Sequence, residues 1–108
     1  MSADHKRELL NLVERKAFDP VMRAKPDGKC EAEKKKLEHV QQATKAEIER
    51  YHGYKSAEEL VTNFKRDLHS EAAKKVHSEL RSLQLPTIVD IREEFERKAE
   101  ELGVHARS

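Results

Sequence analysis

The fold is decided by residues 56–102, which read SAEELVTNFKRDLHSEAAKKVHSELRSLQLPTIVDIREEFERKAEEL. In three short segments of this stretch, apolar residues recur every three or four positions and most of the residues between them are charged. Such spacing is typical of amphipathic helices that bury one face. The apolar stripes are Ala57, Leu60, Val61, Phe64 and Leu68; Ala72, Ala73, Val76, Leu80 and Leu83; and Ile88, Ile91, Phe95, Ala99 and Leu102. We therefore predict helices at 57–68, 71–83 and 88–102.

Capping residues mark where these three helices begin. Ser56 and Glu59 have the spacing of a capping box, and Ser70 stands directly before the second helix. Thr87 follows the break at Leu85-Pro86 and is expected to cap the third helix, with Asp90 near its N-terminal end. Gly103 is expected at the C′ position after that helix.

Two further helices are predicted upstream. The first covers residues 3–17, with Ser2 as its N-cap, and ends at Asp19-Pro20 because the residue before a proline avoids the helical conformation. The second covers residues 31–52, with Gly53 at its C′ position. Its apolar side carries Leu37, Val40, Thr44, Ile48 and Tyr51. The Thr44 hydroxyl is expected to bond back to the Val40 carbonyl. Residues 25–28, Lys-Pro-Asp-Gly, have the pattern of a type I turn.

Composition favours one all-α domain over residues 1–108, a bundle of four or five helices. The chain has 40% charged residues, a net charge of +1 and one cysteine. We expect helices 31–52 and 57–68 to form an antiparallel hairpin. The residues expected to share one core are Leu60, Phe64, Val76, Leu80, Ile91 and Phe95. The first ten residues have no signal-peptide pattern, and no segment approaches the length of a membrane span, so a cytoplasmic protein without a membrane partner is predicted.

Motifs that would identify an enzyme are missing from the sequence. It has no glycine-rich phosphate loop, nucleophile elbow or dinucleotide fingerprint, so we expect neither catalysis nor a cofactor. No two histidines have the one-turn spacing of helical metal ligands, and no metal site is expected. A catalytic or metal role for His69 or His77 remains the alternative to ordinary surface histidines. Cys30 is interpreted as a small buried or half-buried residue. Glu93–Arg97 and Glu94–Lys98 are interpreted as surface ion pairs.

Two surfaces are candidate partner sites. The outer face of helix 71–83 is basic and carries Lys74, Lys75, Ser78, Arg81 and Ser82. These residue types contact phosphates in nucleic-acid-binding proteins, although a plain solvated face is the favoured interpretation. Phe18, Val21 and Met22 surround Pro20; burial of this loop is the favoured interpretation, and an apolar partner patch is the alternative.

The function predicted from these features is a small protein-interaction module. It would bind another protein, or a second copy of itself, through the linker between the first two helices or through the projecting start of helix 31–52. The alternative is a nucleic-acid-binding module that uses the basic face of helix 71–83. The net charge of only +1 argues against that alternative, because most nucleic-acid-binding domains are strongly basic.

Overall fold

The computed structural model describes residues 2–26 and 30–106, with side chains from residue 4 onward. The described residues form helices and contain no strand, which confirms the predicted all-α fold. The helices are α1 (Ser2–Val13), α2 (Asp19–Arg23), α3 (Glu31–His52), α4 (Ala57–His69), α5 (Glu71–Ser82) and α6 (Arg92–Glu101). A π-helical turn, Glu14–Phe18, joins α1 to α2 without a break, so the described chain has five separate helical rods.

The first helix does not end at Asp19-Pro20, and that prediction is wrong. The Asp19 amide donates to the carbonyl of Glu14, five residues back, so the turn before the proline is wider than an α-helical turn. Pro20 then lies in the first turn of α2, where an amide would lack a helical partner in any case. The helix also begins at Ser2 itself rather than after it. The predicted type I turn lies partly outside the described residues.

The predicted caps of α4 and α5 are confirmed. The Ser56 hydroxyl accepts from the Glu59 amide at 3.1 Å, and the Ser70 hydroxyl accepts from the Ala73 amide at 3.1 Å. The reciprocal bond differs by one residue, because the Glu59 carboxylate accepts from the Lys55 amide at 3.0 Å instead of the Ser56 amide.

The last helix begins later than predicted, at Arg92 rather than at residue 88. The Thr87 amide donates to the Asp90 carboxylate at 2.9 Å, and the Thr87 hydroxyl accepts from the Val89 amide at 3.1 Å. These bonds fix the turn at residues 87–90, and the prediction that Thr87 caps the helix is wrong, because the N-cap of α6 is Ile91, which makes no side-chain capping bond. The backbone bonds that follow span three residues instead of four, so residues 88–91 form tight turns and not an α-helix.

The two predicted C′ glycines have different conformations. Gly103 has φ +70° and follows α6 in the left-handed conformation, as predicted. Gly53 has φ −79° and is the C-cap of α3, so its predicted left-handed C′ role is wrong.

The helices pack in a different order from the one predicted. α3 packs along α2 and α5, whereas α4 packs along α1 and α5, so the antiparallel hairpin of residues 31–52 and 57–68 is wrong. α6 packs against α1. The molecule is elongated, measuring 47 × 23 × 22 Å.

The predicted single core is divided into two clusters. The first cluster joins α1, the π turn, the end of α3, α4 and α6, and includes Leu60, Phe64, Ile91 and Phe95. The second cluster consists of Val21, Leu37, Val40 and Leu80, with Ala24, Val76, Leu83 and Leu85 half-buried at its edge. Val76 and Leu80 therefore do not share the core of Phe64, because α5 directs its apolar side toward α2 and α3. None of the described helices contains a segment long and apolar enough to cross a membrane.

Candidate functional site

The predicted polar face of α5 is exposed at all five of its positions, Lys74, Lys75, Ser78, Arg81 and Ser82. Two of its three cations already have carboxylates nearby. Lys74 lies 3.8 Å from Glu71, and Arg81 lies 4.0 Å from Asp90. The Ser82 hydroxyl accepts from the Lys36 ammonium at 3.0 Å, which adds one cation from α3 to this face. The face is therefore accessible but partly neutralised.

The predicted apolar patch is not an exposed surface. Phe18 and Val21 are almost completely buried, and only Met22 is substantially exposed. The Phe18 ring meets the Tyr51 ring edge to face, with 5.4 Å between the ring centroids. The continuous helix across Pro20 turns Phe18 and Val21 inward, so burial, the favoured interpretation, is the correct one for these two residues.

A cleft at the connection between α2 and α3 takes the place of that patch. We call it the linker cleft; it has a volume of about 160 Å³ and is lined by Ala24, Lys25, Pro26, Glu33, Leu37, Leu83 and Leu85. The side-chain amide of Gln41 donates to the carbonyls of Val21 and Ala24 at 3.0 and 2.9 Å, which fixes the end of α2 against α3. The linker cleft is thus the incompletely covered edge of the second cluster.

A buried polar junction connects the end of α3 to α4. The Asp67 carboxylate accepts from the Tyr51 hydroxyl at 2.8 Å and from the Arg50 guanidinium at 3.2 Å, and a second guanidinium nitrogen lies 3.1 Å from its other oxygen as an ion pair. The guanidinium also donates to the Tyr54 hydroxyl at 3.1 Å. Burial raises the pKa of Tyr51, and the negative charge of Asp67 raises it further, so the phenol stays protonated.

Next to this junction, α3 and α5 enclose a narrow cleft, which we call the central cleft. Its polar lining residues are Thr44, Glu47, His77 and Thr87, and its apolar lining residues are Ala17, Phe18, Val21, Val76, Leu80, Pro86 and Ile88. Burial raises the pKa of Glu47 to about 7, and the Asp67 charge adds to this effect while Arg50 opposes it. Burial also lowers the pKa of His77, with a further contribution from Arg81. The central cleft therefore contains a carboxyl and an imidazole that both titrate away from their usual ranges.

Other chemically interesting residues lie apart. His69 is exposed, whereas His77 is buried in the central cleft, and Cys30 is exposed at the N-cap of α3, contrary to the predicted burial. Across residues 2–26 and 30–106, no group of three or more histidine, cysteine, aspartate or glutamate side chains is arranged to hold a metal ion.

The ion pairs of α6 also differ from the prediction. Glu94 pairs with Lys16 at 3.6 Å and Lys98 pairs with Glu8 at 3.3 Å, so both link α6 to the first helical rod instead of pairing within α6. Between these pairs runs a groove of about 380 Å³ lined by charges of both signs: Glu8, Arg15, Glu94, Arg97, Lys98 and Glu101. Within α6 the described pair is Arg92 with Glu96, at 3.2 Å.

Comparisons with known proteins give no family, relative or fold neighbour: no family model, no curated protein and no solved structure matches the chain.

Proposed function

We propose that this chain is a cytoplasmic protein-interaction module that receives an apolar side chain of its partner, or of a second copy, in the linker cleft. The observation that carries the proposal is the open edge of the second cluster. Leu83, Leu85 and Ala24 are only half-buried there. Contiguous apolar surface of this kind usually marks an interaction site.

The surroundings of the linker cleft support the same function. The first turn of α3 is exposed, and Glu33 and Lys25 provide a polar rim on opposite sides of the connection. An apolar centre within a polar rim is the common anatomy of protein interfaces. A cytoplasmic setting fits the single cysteine, because small secreted domains usually depend on disulfides.

Two matched variants test this function. Ala24→Asp places a charge in the linker cleft, and Ala46→Asp places the same charge on an exposed position of α3 away from it. We expect proteins captured from a cell extract by the wild-type chain, or a dimer seen by light scattering, to be lost with Ala24→Asp and kept with Ala46→Asp. The proposal is contradicted if the wild-type chain stays monomeric and captures only proteins that Ala24→Asp also captures.

The nucleic-acid alternative rests on the accessible basic face of α5, extended by Lys36. It has weaker support than the linker cleft because Glu71 and Asp90 already lie beside Lys74 and Arg81. If it is correct, the chain binds nucleic acid with an affinity that falls steeply with salt. Replacing Lys74, Lys75 and Arg81 together by alanine would then abolish binding, and unchanged binding would exclude this face.

A further inference from the structure

The polar face of α5 is neutralised on one side and keeps its charge on the other. Lys74 and Arg81 lie 3.8 Å and 4.0 Å from the carboxylates of Glu71 and Asp90. Within residues 2–26 and 30–106, Lys75 is exposed and forms no ion pair. The charge of Lys75 is therefore available to a partner, whereas the charges of Lys74 and Arg81 are partly compensated.

A row of polar residues leads from Lys75 to the linker cleft. Lys75, Ser78 and Ser82 are spaced three and four residues apart, so they lie along one side of α5. The Ser82 hydroxyl accepts from the Lys36 ammonium at 3.0 Å and donates to the Glu79 carbonyl at 2.8 Å. Lys36 and Ser82 each directly precede a leucine that lines the linker cleft. We call Lys36, Lys75, Ser78 and Ser82 the basic ridge.

The linker cleft lies in a positively charged part of the chain. Its charged lining residues are one cation, Lys25, and one acid, Glu33, and Lys36 stands at its border. Residues 23–36 contain six lysine and arginine residues and three acidic residues, a net charge of +3 in a chain whose total is +1. An approaching carboxylate therefore meets a positive potential beside an apolar cavity.

The size of the linker cleft limits what can enter it. Its volume of about 160 Å³ is close to that of a cavity that binds one benzene molecule, so it admits a single apolar side chain. A polypeptide supplies such a side chain together with carboxylates. A nucleic acid would first have to unstack a base, which costs free energy. The combination of cleft and ridge therefore favours a polypeptide.

We propose that the linker cleft and the basic ridge together bind an acidic segment of a partner protein. This inference rests on the proposed function and names the chemistry of the partner. One apolar side chain of the segment enters the cleft, and carboxylates beside it contact Lys36 and Lys75. Lys75 lies about 10 Å along α5 from Ser82, a distance that an extended segment covers in about three residues. The exposed Ser78 hydroxyl, between them, can donate to the same carboxylates.

NMR titration of the full chain with three blocked peptides tests this proposal. EAAELEAAE carries a central leucine and glutamates three residues apart on each side, and it should shift the backbone amides of Leu37, Leu83 and Leu85. EAAESEAAE lacks the leucine and QAAQLQAAQ lacks the charges, and each should bind about fivefold more weakly. Raising the salt from about 0.05 to 0.5 M should weaken the binding of EAAELEAAE and leave that of QAAQLQAAQ unchanged.

A matched pair of variants locates the charge that is recognised. Lys36→Glu reverses one charge of the basic ridge. Lys45→Glu is the control, because Lys45 is exposed, nine residues further along α3 and on its opposite side. We expect Lys36→Glu to weaken the binding of EAAELEAAE about tenfold and Lys45→Glu to weaken it less than about twofold. Lys75→Glu should also weaken it and leaves the contact between Lys36 and Ser82 intact, so it separates lost recognition from a loosened α5.

The possible contrary results have distinct meanings. If QAAQLQAAQ binds as tightly as EAAELEAAE, the acidic partner is excluded while apolar docking in the linker cleft stands. If EAAELEAAE shifts none of the three leucine amides, or if Lys36→Glu and Lys45→Glu weaken it equally, the proposal is wrong. Shifts of the same amides with chain concentration alone would assign the cleft to a second copy. Tighter binding of a single-stranded DNA of about twelve nucleotides would assign the ridge to nucleic acid.

Discussion

At the scale of single residues, the most consequential side chain is Asp67, a carboxylate that is 6% exposed in the middle of an apolar face. A buried charge is tolerated only when it is paired and hydrogen-bonded. Tyr51 and Arg50 each donate one hydrogen bond to its two oxygens, and a second guanidinium nitrogen of Arg50 forms an ion pair with it at 3.1 Å. The junction therefore fixes the end of α3 to α4, which do not pack along each other elsewhere as a hairpin would.

Tyr51→Phe tests the contribution of this junction. The variant removes the hydroxyl that donates to Asp67 at 2.8 Å and leaves the ring packed against Phe18. We expect the free energy of unfolding to fall by about 1–2 kcal/mol, because a buried carboxylate loses one bond. Tyr54→Phe is the control and should cost less, since Arg50 keeps its bonds to Asp67. Chemical denaturation measures both, and equal losses would contradict the assigned role of Asp67.

Glu47 makes the stability depend on pH. Its pKa is about 7 in the folded chain and near 4.5 when unfolded, so the unfolded state releases the proton first as pH rises. Glu47 therefore destabilises the fold increasingly between pH 4.5 and 7, and fully above pH 7. Glu47→Gln should raise the free energy of unfolding by about 3 kcal/mol at pH 8, and the gain should shrink toward pH 4.5. Denaturation at several pH values measures this, and a gain independent of pH would be inconsistent with it.

His77 acts in the opposite direction, because its folded pKa is lower than its unfolded one. Its stabilising contribution is present above the usual histidine pKa of 6.5 and is lost as pH falls through the lower folded value. Protonation of His77 therefore lowers the free energy of unfolding as the pH falls below 6.5, whereas ionisation of Glu47 lowers it as the pH rises toward 7. The Glu47→Gln variant should keep the loss of stability that protonation of His77 causes at acid pH.

Two helix ends offer a matched test of backbone conformation. Gln84 follows α5 with φ +61°, where side chains other than glycine are strained, and Gly103 follows α6 with φ +70°. We expect Gln84→Gly to raise the free energy of unfolding by about 0.5–1 kcal/mol and Gly103→Ala to lower it by about 1 kcal/mol. Gly53→Ala is the control with negative φ, and its new methyl group would meet the Arg50 carbonyl at an ordinary 3.4 Å. Thermal unfolding distinguishes these outcomes, and a destabilised Gly53→Ala would show that φ is not the deciding factor.

The sequence contained a signal for the buried polar groups, but it was ambiguous. Asp67 lies three residues after Phe64 and seven after Leu60, which places it on the stripe of α4. Glu47 likewise follows Thr44 and Val40 on the apolar side of α3. A charged residue at the edge of a stripe is usually solvated. Whether such a residue is buried depends on which helices pack beside it, and that packing cannot be read from the stripe alone.

At the scale of helices and turns, Pro20 shows why local signals mispredicted one connection. In a regular α-helix, Phe18 would lie about 140° around the axis from Val13 and would face away from its side. The wider π turn rotates less per residue and returns Phe18 and Val21 to the buried face. Propensity at the proline favoured a break, but the burial of two large side chains favoured a continuous helix.

The caps of α4 and α5 were predictable because they depend on neighbouring residues alone.

Phe18→Ala tests this continuous helix. If Phe18 belonged to an exposed patch, its removal would hardly change stability, whereas a core phenylalanine costs about 3–5 kcal/mol. We expect the larger value, because Phe18 is 3% exposed and contacts Tyr51. Met22→Ala is the control; Met22 is 38% exposed and should change stability by less than about 1 kcal/mol. A small loss for Phe18→Ala in urea denaturation would contradict the helix through Pro20.

At the scale of the whole molecule, the division into two clusters is what the sequence could not show. The apolar side of α5 was identified except for Ala72, which is exposed, but the position of this side in the sequence does not show which helix covers it. Leu80 faces Val21, Leu37 and Val40 instead of Phe64, whose ring stacks on Phe95 with 3.8 Å between centroids. The choice of partner depends on long-range packing, because several apolar stripes of similar width compete for the same neighbours.

The two clusters should differ in stability, and hydrogen exchange tests this. Among the described residues, the first cluster has eighteen buried members and the second has four, so far less apolar area holds α5 against α2 and α3. Regions with few buried contacts open locally at a lower free energy than the whole fold. We therefore expect amides of Val76 to Arg81 to exchange through an opening of lower free energy than those of Leu60 to Phe64. Native-state exchange at increasing denaturant measures both, and a common opening free energy would show that the clusters unfold as one unit.

Local opening of α5 would also expose Leu37 and Leu83 in the linker cleft. A partner bound there should therefore raise the hydrogen-exchange protection of α5 and leave that of α4 nearly unchanged.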